Sequence, residues 1–162
     1  MKFNRLALAA VLALSAATSF AATDAQVKGY EREVKKQALK DCSGDPGDGI
    51  STTAYSGKLN SVGRVTVIVA GSSGCGGGAR LVTWLRVYLP SGQSIKPDLN
   101  ATPWMIEKVR FAGNEIVVES QELADGDAPN FPSDVVEWKY SIRNDKLDLE
   151  SRRILPKDDG PD

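Results

Sequence analysis

The chain has 162 residues, 20 basic and 21 acidic side chains, and a formal net charge of −1. Without a basic excess, binding to nucleic acid or electrostatic attachment to anionic lipid is disfavoured. The sequence contains no histidine, which excludes Ser-His-Asp and Cys-His catalysis and histidine-based metal sites.

The first 21 residues have the three-part pattern of a secretory signal peptide. Lys2 and Arg5 precede an apolar run, and Ser19 and Ala21 place small residues at the cleavage positions. The apolar run is shorter than the ~20 residues that a membrane span needs. We therefore predict cleavage near Ala21, a periplasmic or secreted location, and no stable membrane anchoring.

Residues 22–155 match the size of a single domain, and residues 156–162 are predicted to be a frayed tail. An N-terminal helix is predicted over residues 24–41, because apolar residues recur there at spacings of three and four. Thr23 and Gln26 are typical of a capping box at its start. The helix is expected to end where a run of Gly, Pro, Ser and Asp begins.

From residue 50 onward the apolar residues alternate, as is typical of β-strands. Residues 64–70 are apolar on both faces, which predicts a strand at the centre of its sheet. Short polar turns at 112–114 and 144–145 predict two hairpins. Seven strands are predicted, over residues 50–56, 64–70, 79–89, 105–111, 115–120, 135–143 and 147–153. Together with the helix they predict an α+β fold, mainly antiparallel β.

Cys42 and Cys75 are the two cysteines of the chain. In an oxidising compartment such a pair is typical of a structural disulfide. A redox role would require a C-x-x-C motif or an activating histidine, and the sequence has neither. We predict a Cys42–Cys75 bond.

Residues 71–78 form an unusual Gly/Ser-rich stretch that includes Cys75. It lacks the lysine and the following helix of a phosphate-binding loop. One interpretation is a strand connection that requires positive φ angles and is fixed by the disulfide. The other is a protruding recognition loop in which Ser72, Ser73 and Gly74 contact a protein partner.

Trp84 and Tyr88 lie on one face of a predicted strand, and Trp138 and Tyr140 share a face of another. Core packing is the usual role of such residues. An exposed aromatic face would instead suit the binding of a protein or glycan. Trp84 and Tyr88 are therefore further candidates for a binding surface.

Two loops are rich in carboxylates, one with Asp45 and Asp48 and one with Asp125 and Asp127. Calcium takes six to eight oxygen ligands, and neither loop has the spacing of a known calcium-binding loop. Solvated turn residues are favoured, with Asp125 and Asp127 as weak metal candidates, and no bound metal or other cofactor is predicted. Carboxylates distant in sequence can still converge in space, so a glycosidase-type acid pair stays open.

A series of motifs runs from Tyr55 to the last predicted hairpin. The segments are residues 57–60 leading into 65–69, 74–78 leading into 84–88, 106–118, and 125–127 followed by Phe131-Pro132. This order resembles a loosely defined group of secreted bacterial strand-rich proteins, some of which are periplasmic lysozyme inhibitors or immunity proteins. The resemblance implies a protein partner.

The sequence departs from the pattern of that group at two places. Residues 58–63 contain no carboxylate, so a calcium loop is not expected there. Residues 130–132 read Asn-Phe-Pro where the group has Cys-Cys-Pro, so the related disulfide is absent.

The sequence therefore predicts a periplasmic or secreted binding protein rather than an enzyme. An inhibitor or immunity-type partner of another extracytoplasmic protein fits best. The alternatives are a small carboxylate-based hydrolase or carbohydrate-active protein, and a structural envelope component.

Overall fold

The computed structural model describes residues 22–42, 49–72, 74–75, 82–128 and 131–156. The predicted signal peptide, Asp45, Asp48, Ser73 and residues 157–162 lie outside the described residues. The elements, in chain order, are α1 (Asp24–Asp41), β1 (Ser51–Leu59), β2 (Gly63–Ser72), β3 (Val82–Tyr88), β4 (Ser94–Ile95), a 3-10 helix (Leu99–Ala101), β5 (Met105–Ala112), β6 (Glu115–Glu122), β7 (Asp134–Arg143) and β8 (Lys146–Ile154).

The strands form two four-stranded antiparallel sheets. The first sheet has the order β1-β2-β3-β4 and the second the order β5-β6-β7-β8. The predicted α+β class, with mainly antiparallel strands, is confirmed. The described residues contain eight strands rather than seven, because β4 has only two residues and so shows no alternation in the sequence.

Helix α1 has the predicted boundaries and the predicted capping box. The Thr23 hydroxyl accepts a hydrogen bond from the Gln26 N–H at 3.3 Å, and Gln26 Oε1 accepts one from the Thr23 N–H at 2.8 Å. These bonds satisfy two backbone donors that a helix start otherwise leaves unpaired. Within the described residues, no helix combines the length and apolarity that crossing a membrane requires.

The helix packs on one face of the first sheet. Tyr30 of α1 stacks on Tyr88 of β3, with ring centroids 3.8 Å apart and an interplanar angle of 10°. This helix-side core consists of Val34, Ala38, Ile50, Ile68, Ala70 and Tyr88, with Val27, Tyr30, Ala54 and Trp84 partly buried against it.

The other face of the first sheet packs against the second sheet. Val65 and Val67 of β2 point into this inter-sheet core, whereas Ile68 and Ala70 of the same strand face the helix. The prediction that residues 64–70 form a central strand is confirmed. One apolar face of β2 is buried against the second sheet and the other against α1.

The two sheets meet closely where β1 crosses β5. A Cβ atom at Gly57 of β1 would overlap the ring of Phe111, so only glycine allows this approach. Nearby, the Asn60 N–H donates to the Gly113 carbonyl at 2.9 Å, and the Ser61 N–H donates to Asn114 Oδ1 at 2.8 Å. The turn after β1 is therefore fixed to the turn between β5 and β6.

The predicted disulfide between Cys42 and Cys75 is confirmed. Cys42 is the C-cap of α1, and its N–H donates to the Ala38 carbonyl at 2.9 Å. Cys75 follows the end of β2 and is buried. The bond thus joins the end of the helix to the end of a central strand, and it fits a protein of an oxidising, extracytoplasmic compartment.

Candidate functional site

A groove of about 370 Å³ runs along the edge of β3. We call it the β3-edge groove. Its lining includes residues 82–86 of β3, Asp41 at the end of α1, and side chains from the segment after β4, namely Lys96, Pro97, Leu99 and Thr102.

The groove exists because β4 covers only the end of β3. Ile95 pairs with Val87 and Ser94 with Tyr88, so residues 82–86 have no strand beside them on that side among the described residues. Pro97 lacks an N–H and disfavours continuation of a β ladder. The chain therefore turns away after β4 and leaves the edge of β3 open.

Two apolar side chains are accessible in the groove. Trp84 is partly buried against the helix-side core and also lines the groove. Leu99 is 91% exposed. Exposed large apolar side chains beside a strand edge are typical of an interaction surface.

The wall that carries Leu99 is anchored to both sheets. The Tyr140 hydroxyl donates to the Ala101 carbonyl at 2.6 Å, and the Thr83 hydroxyl of β3 donates to the Trp104 carbonyl. Burial, with a smaller contribution from Glu122, raises the pKa of Tyr140. The phenol therefore stays protonated and keeps its donor.

Two cations, Arg86 and Lys96, line the groove, and Lys96 also lines a neighbouring pocket that contains Asp98, Asp145 and Asp148. Neither Arg86 nor Lys96 forms a salt bridge within the described part of the chain. Among the described residues of the lining, the one carboxylate is that of Asp41, and it accepts a hydrogen bond from Gln37 Nε2 at 2.8 Å. The groove therefore offers positive charge to a ligand.

Of the binding residues predicted from the sequence, Trp84 lies in the β3-edge groove. Ser72 itself does not lie in a loop, and the recognition-loop interpretation of residues 71–78, most of which lie outside the described residues, stays a prediction. Ser72 is the last residue of β2, pairs with Val82 and is buried. Gly74 is partly exposed and donates its N–H to Ser72 Oγ at 3.4 Å, while Ser73 lies outside the described residues.

Tyr88 belongs to the core rather than to a binding face. Only 2% of it is exposed, beneath Tyr30. Burial, together with the charge and hydrogen bonding of the nearby Glu33 carboxylate, raises the pKa of the Tyr88 hydroxyl. Trp138 and Tyr140 are likewise buried in the inter-sheet core. For these three aromatics the core interpretation is confirmed.

The carboxylate of Asp127 closes the loop between β6 and β7. Its Oδ2 accepts hydrogen bonds from the N–H groups of Ala124 and Ser133, both at 2.8 Å. Asp125 is exposed in the turn beside it. Within the described ranges, no three His, Cys, Asp or Glu side chains are arranged to hold a metal ion.

One pair of carboxylates does converge, and the sequence did not reveal it. Glu119 of β6 lies directly opposite Glu137 of β7. Arg110 contacts both, with Nε 3.4 Å from Glu119 Oε1 and Nη2 beside Glu137 Oε2. Arg153 Nε also lies 2.8 Å from Glu137 Oε1. Such charge-assisted contacts are typical of a structural ion-pair cluster and give no support to a hydrolytic acid pair.

A second exposed apolar region lies at one end of the second sheet. Glu122 pairs with Asp134 and Val136 with Ile154, which brings the loop between β6 and β7 beside the end of β8. Leu123, Phe131 and Ile154 are all exposed there. We call these three residues the loop-end apolar patch.

No protein-family model matches the sequence, and no curated protein or solved structure is significantly similar to it. The resemblance to secreted bacterial inhibitors and immunity proteins therefore stays a prediction.

Proposed function

We propose that this chain is a periplasmic or secreted protein that binds another extracytoplasmic protein, as an inhibitor or immunity-type partner does. The β3-edge groove is the observation that carries the proposal. It combines an open strand edge and accessible apolar surface at Trp84 and Leu99. It also carries two cations, Arg86 and Lys96, that form no salt bridge among the described residues.

Rigidity on both sides of the groove supports a binding role. Asp41 lines the groove and directly precedes Cys42, whose bond to Cys75 holds the end of α1 in place. The opposite wall is held by Tyr140 through the Ala101 carbonyl. A surface ordered before binding loses little conformational entropy on docking, which favours affinity.

The proposed location follows from two features of the chain. Disulfides persist in oxidising compartments, and the Cys42–Cys75 bond is formed. The first 21 residues have the pattern of a secretory signal. A partner in the same compartment would be an envelope or secreted protein.

The test is a pull-down from periplasmic extract that compares two exposed leucines. Leu99→Arg places a charged, bulky side chain in the groove, and Leu123→Arg makes the same change in the loop-end apolar patch. Both positions are exposed, so we expect both variants to keep the melting temperature of the parent. Mass spectrometry should identify a partner that Leu99→Arg loses and Leu123→Arg retains.

Two results would contradict the proposal. A partner lost with Leu123→Arg and retained with Leu99→Arg would place the interface at the loop-end apolar patch. Failure to capture any protein from periplasmic extract or culture medium would remove the support for a binding role.

A further inference from the structure

Building on the proposed function, we infer that the β3-edge groove binds an extended, acidic segment of the partner, which pairs with β3 as an additional strand. The open edge of β3, the way β4 ends and the charges around the groove all favour this binding mode.

The open edge is long enough for strand pairing. Residues 82–86 of β3 pair with β2 on one side and with no strand on the other within the described residues. Five residues at ~3.4 Å each span about 17 Å. Main-chain hydrogen bonds to such an edge supply affinity, while alternate side chains supply specificity.

The position of β4 defines where the added strand would lie. Ser94 and Ile95 already occupy this side of β3 beside Tyr88 and Val87. The bound segment of the partner, which we call the guest segment, would continue the line of β4 along β3. The chain itself cannot fill the position by extending β4, because Pro97 follows two residues later and lacks a ladder donor.

The charged side chains of the groove favour an acidic guest segment. Lys96 follows Ile95 and therefore lies near Val87, at the same end of the groove as Arg86. Asp41 lies at the other end of the groove. It directly precedes Cys42, which is bonded to Cys75. Cys75 in turn follows the end of β2, where the last residue pairs with Val82. A guest carboxylate would be favoured near Arg86 and Lys96.

The groove beside the opposite edge of the first sheet is mainly a helix surface. Strand β1 forms that edge, but Thr52 is its only residue in the adjacent groove, which is lined mainly by α1 side chains. That groove therefore exposes a helix surface rather than a run of strand backbone. Lys58 on β1 provides a matched control position, since it is exposed on the same sheet.

The competing explanation is that the cations protect the edge. Charged side chains on edge strands, lysine above all, prevent unwanted pairing with other chains. A protective role predicts that extended peptides of either charge fail to bind. A binding role predicts charge-selective and backbone-dependent pairing.

The experiment measures fluorescence anisotropy of three labelled heptapeptides with the full disulfide-bonded protein. The first alternates glutamate and valine, the second has lysine for each glutamate, and the third is the glutamate peptide with alternate backbone nitrogens methylated. We expect saturable binding of the first peptide only. N-methylation keeps the side chains and removes main-chain donors, so it isolates strand pairing.

Protein variants and hydrogen exchange locate the binding. Lys96→Glu should weaken binding roughly tenfold or more, because it reverses a charge at the contact, and Lys58→Glu should leave it unchanged. Amides within residues 82–86 should gain protection from exchange when the glutamate peptide is added.

No saturable binding of the glutamate peptide up to about 1 mM, which corresponds to roughly −4 kcal/mol, would overturn the inference. Equal binding of the methylated or lysine peptide would overturn it as well. If the peptide fails while Leu99→Arg still abolishes partner capture, the proposed function stands and only strand addition is wrong.

Discussion

The two sheets of this protein differ in how many of their faces are covered. The first sheet has α1 on one face and the second sheet on the other. The second sheet contributes one face to the inter-sheet core and turns the other outward. Its outward face carries ion pairs that link β5 to β6 and β7, and β7 to β8.

Two equally buried side chains can therefore have different surroundings in the two sheets. Val67 of β2 is 0% exposed and Val117 of β6 is 1% exposed. Val67 lies in the inter-sheet core. Val117 lies on the outward face, where its register partners are Arg110 and Lys139. The stems of such long side chains can cover apolar surface while their charged ends stay in water.

Removal of the disulfide should give the largest loss of stability. The bond joins α1 to the first sheet and not to the second. The double variant Cys42→Ser with Cys75→Ser should lose about 3.5–4 kcal/mol of unfolding free energy, by the entropy of the loop that the bond closes. Urea denaturation measures this loss. Hydrogen exchange should increase more in α1 than in β6 and β7.

Reduction of the parent protein provides the control for the serine substitutions. It should give a similar loss in the same urea titration, and alkylation should modify both cysteines only after reduction. A loss below about 1 kcal/mol, or two thiols that react in the native protein, would contradict the prediction.

A smaller effect should separate the two buried valines. Val67→Thr places a hydroxyl in the inter-sheet core and should cost roughly 1–3 kcal/mol. Val117→Thr makes the same change beneath Arg110 and Lys139, whose charged groups can donate hydrogen bonds to the added hydroxyl, and should cost less than about 1 kcal/mol. Urea denaturation of both variants tests the difference. Equal losses of unfolding free energy would show that the hydroxyl at position 117 is no better hydrogen-bonded than the one at position 67.

The smallest effect should come from an exposed ion pair of the second sheet. Lys108 Nζ lies 3.5 Å from Glu119 Oε2, and the lysine side chain is largely exposed. Lys108→Ala should cost about 0.2–1 kcal/mol at low salt, because solvent weakens such a pair. The difference should disappear near ~1 M NaCl, where charges are screened.

Lys58→Ala is the matched control for this pair. Lys58 is exposed on β1 and forms no salt bridge among the described residues. It should change stability little at either salt concentration. A Lys108→Ala effect that persists in high salt would indicate lost packing rather than lost charge.

Local features of the fold could be read from the sequence. The capping residues Thr23 and Gln26 fix the start of α1. The hairpin at residues 144–145 forms as predicted, with positive φ at both Asn144 and Asp145, because these residues tolerate the left-handed conformation that such turns require. The two cysteines determined the disulfide, since no other pairing was available.

The candidate site depended on contacts between distant segments. Alternation places Trp84 and Tyr88 on the same strand face, but only the position of α1 buries Tyr88 and leaves Trp84 at the groove. Likewise, Ser72 is buried because β2 continues two residues past the predicted end and pairs with β3.

The sequence by itself determined the helix, the strand periodicity, the turns and the disulfide, because each depends on residues close together in the chain or on a unique pair. Tertiary structure decided which strands are edges, where β4 stops, and that Glu119 and Glu137 share Arg110. Every observed strand pair joins consecutive strands, but the side-chain pattern of a strand does not show where the series divides into two sheets or how much of a strand its neighbour covers. The open edge of β3 is therefore a property of the assembled sheet.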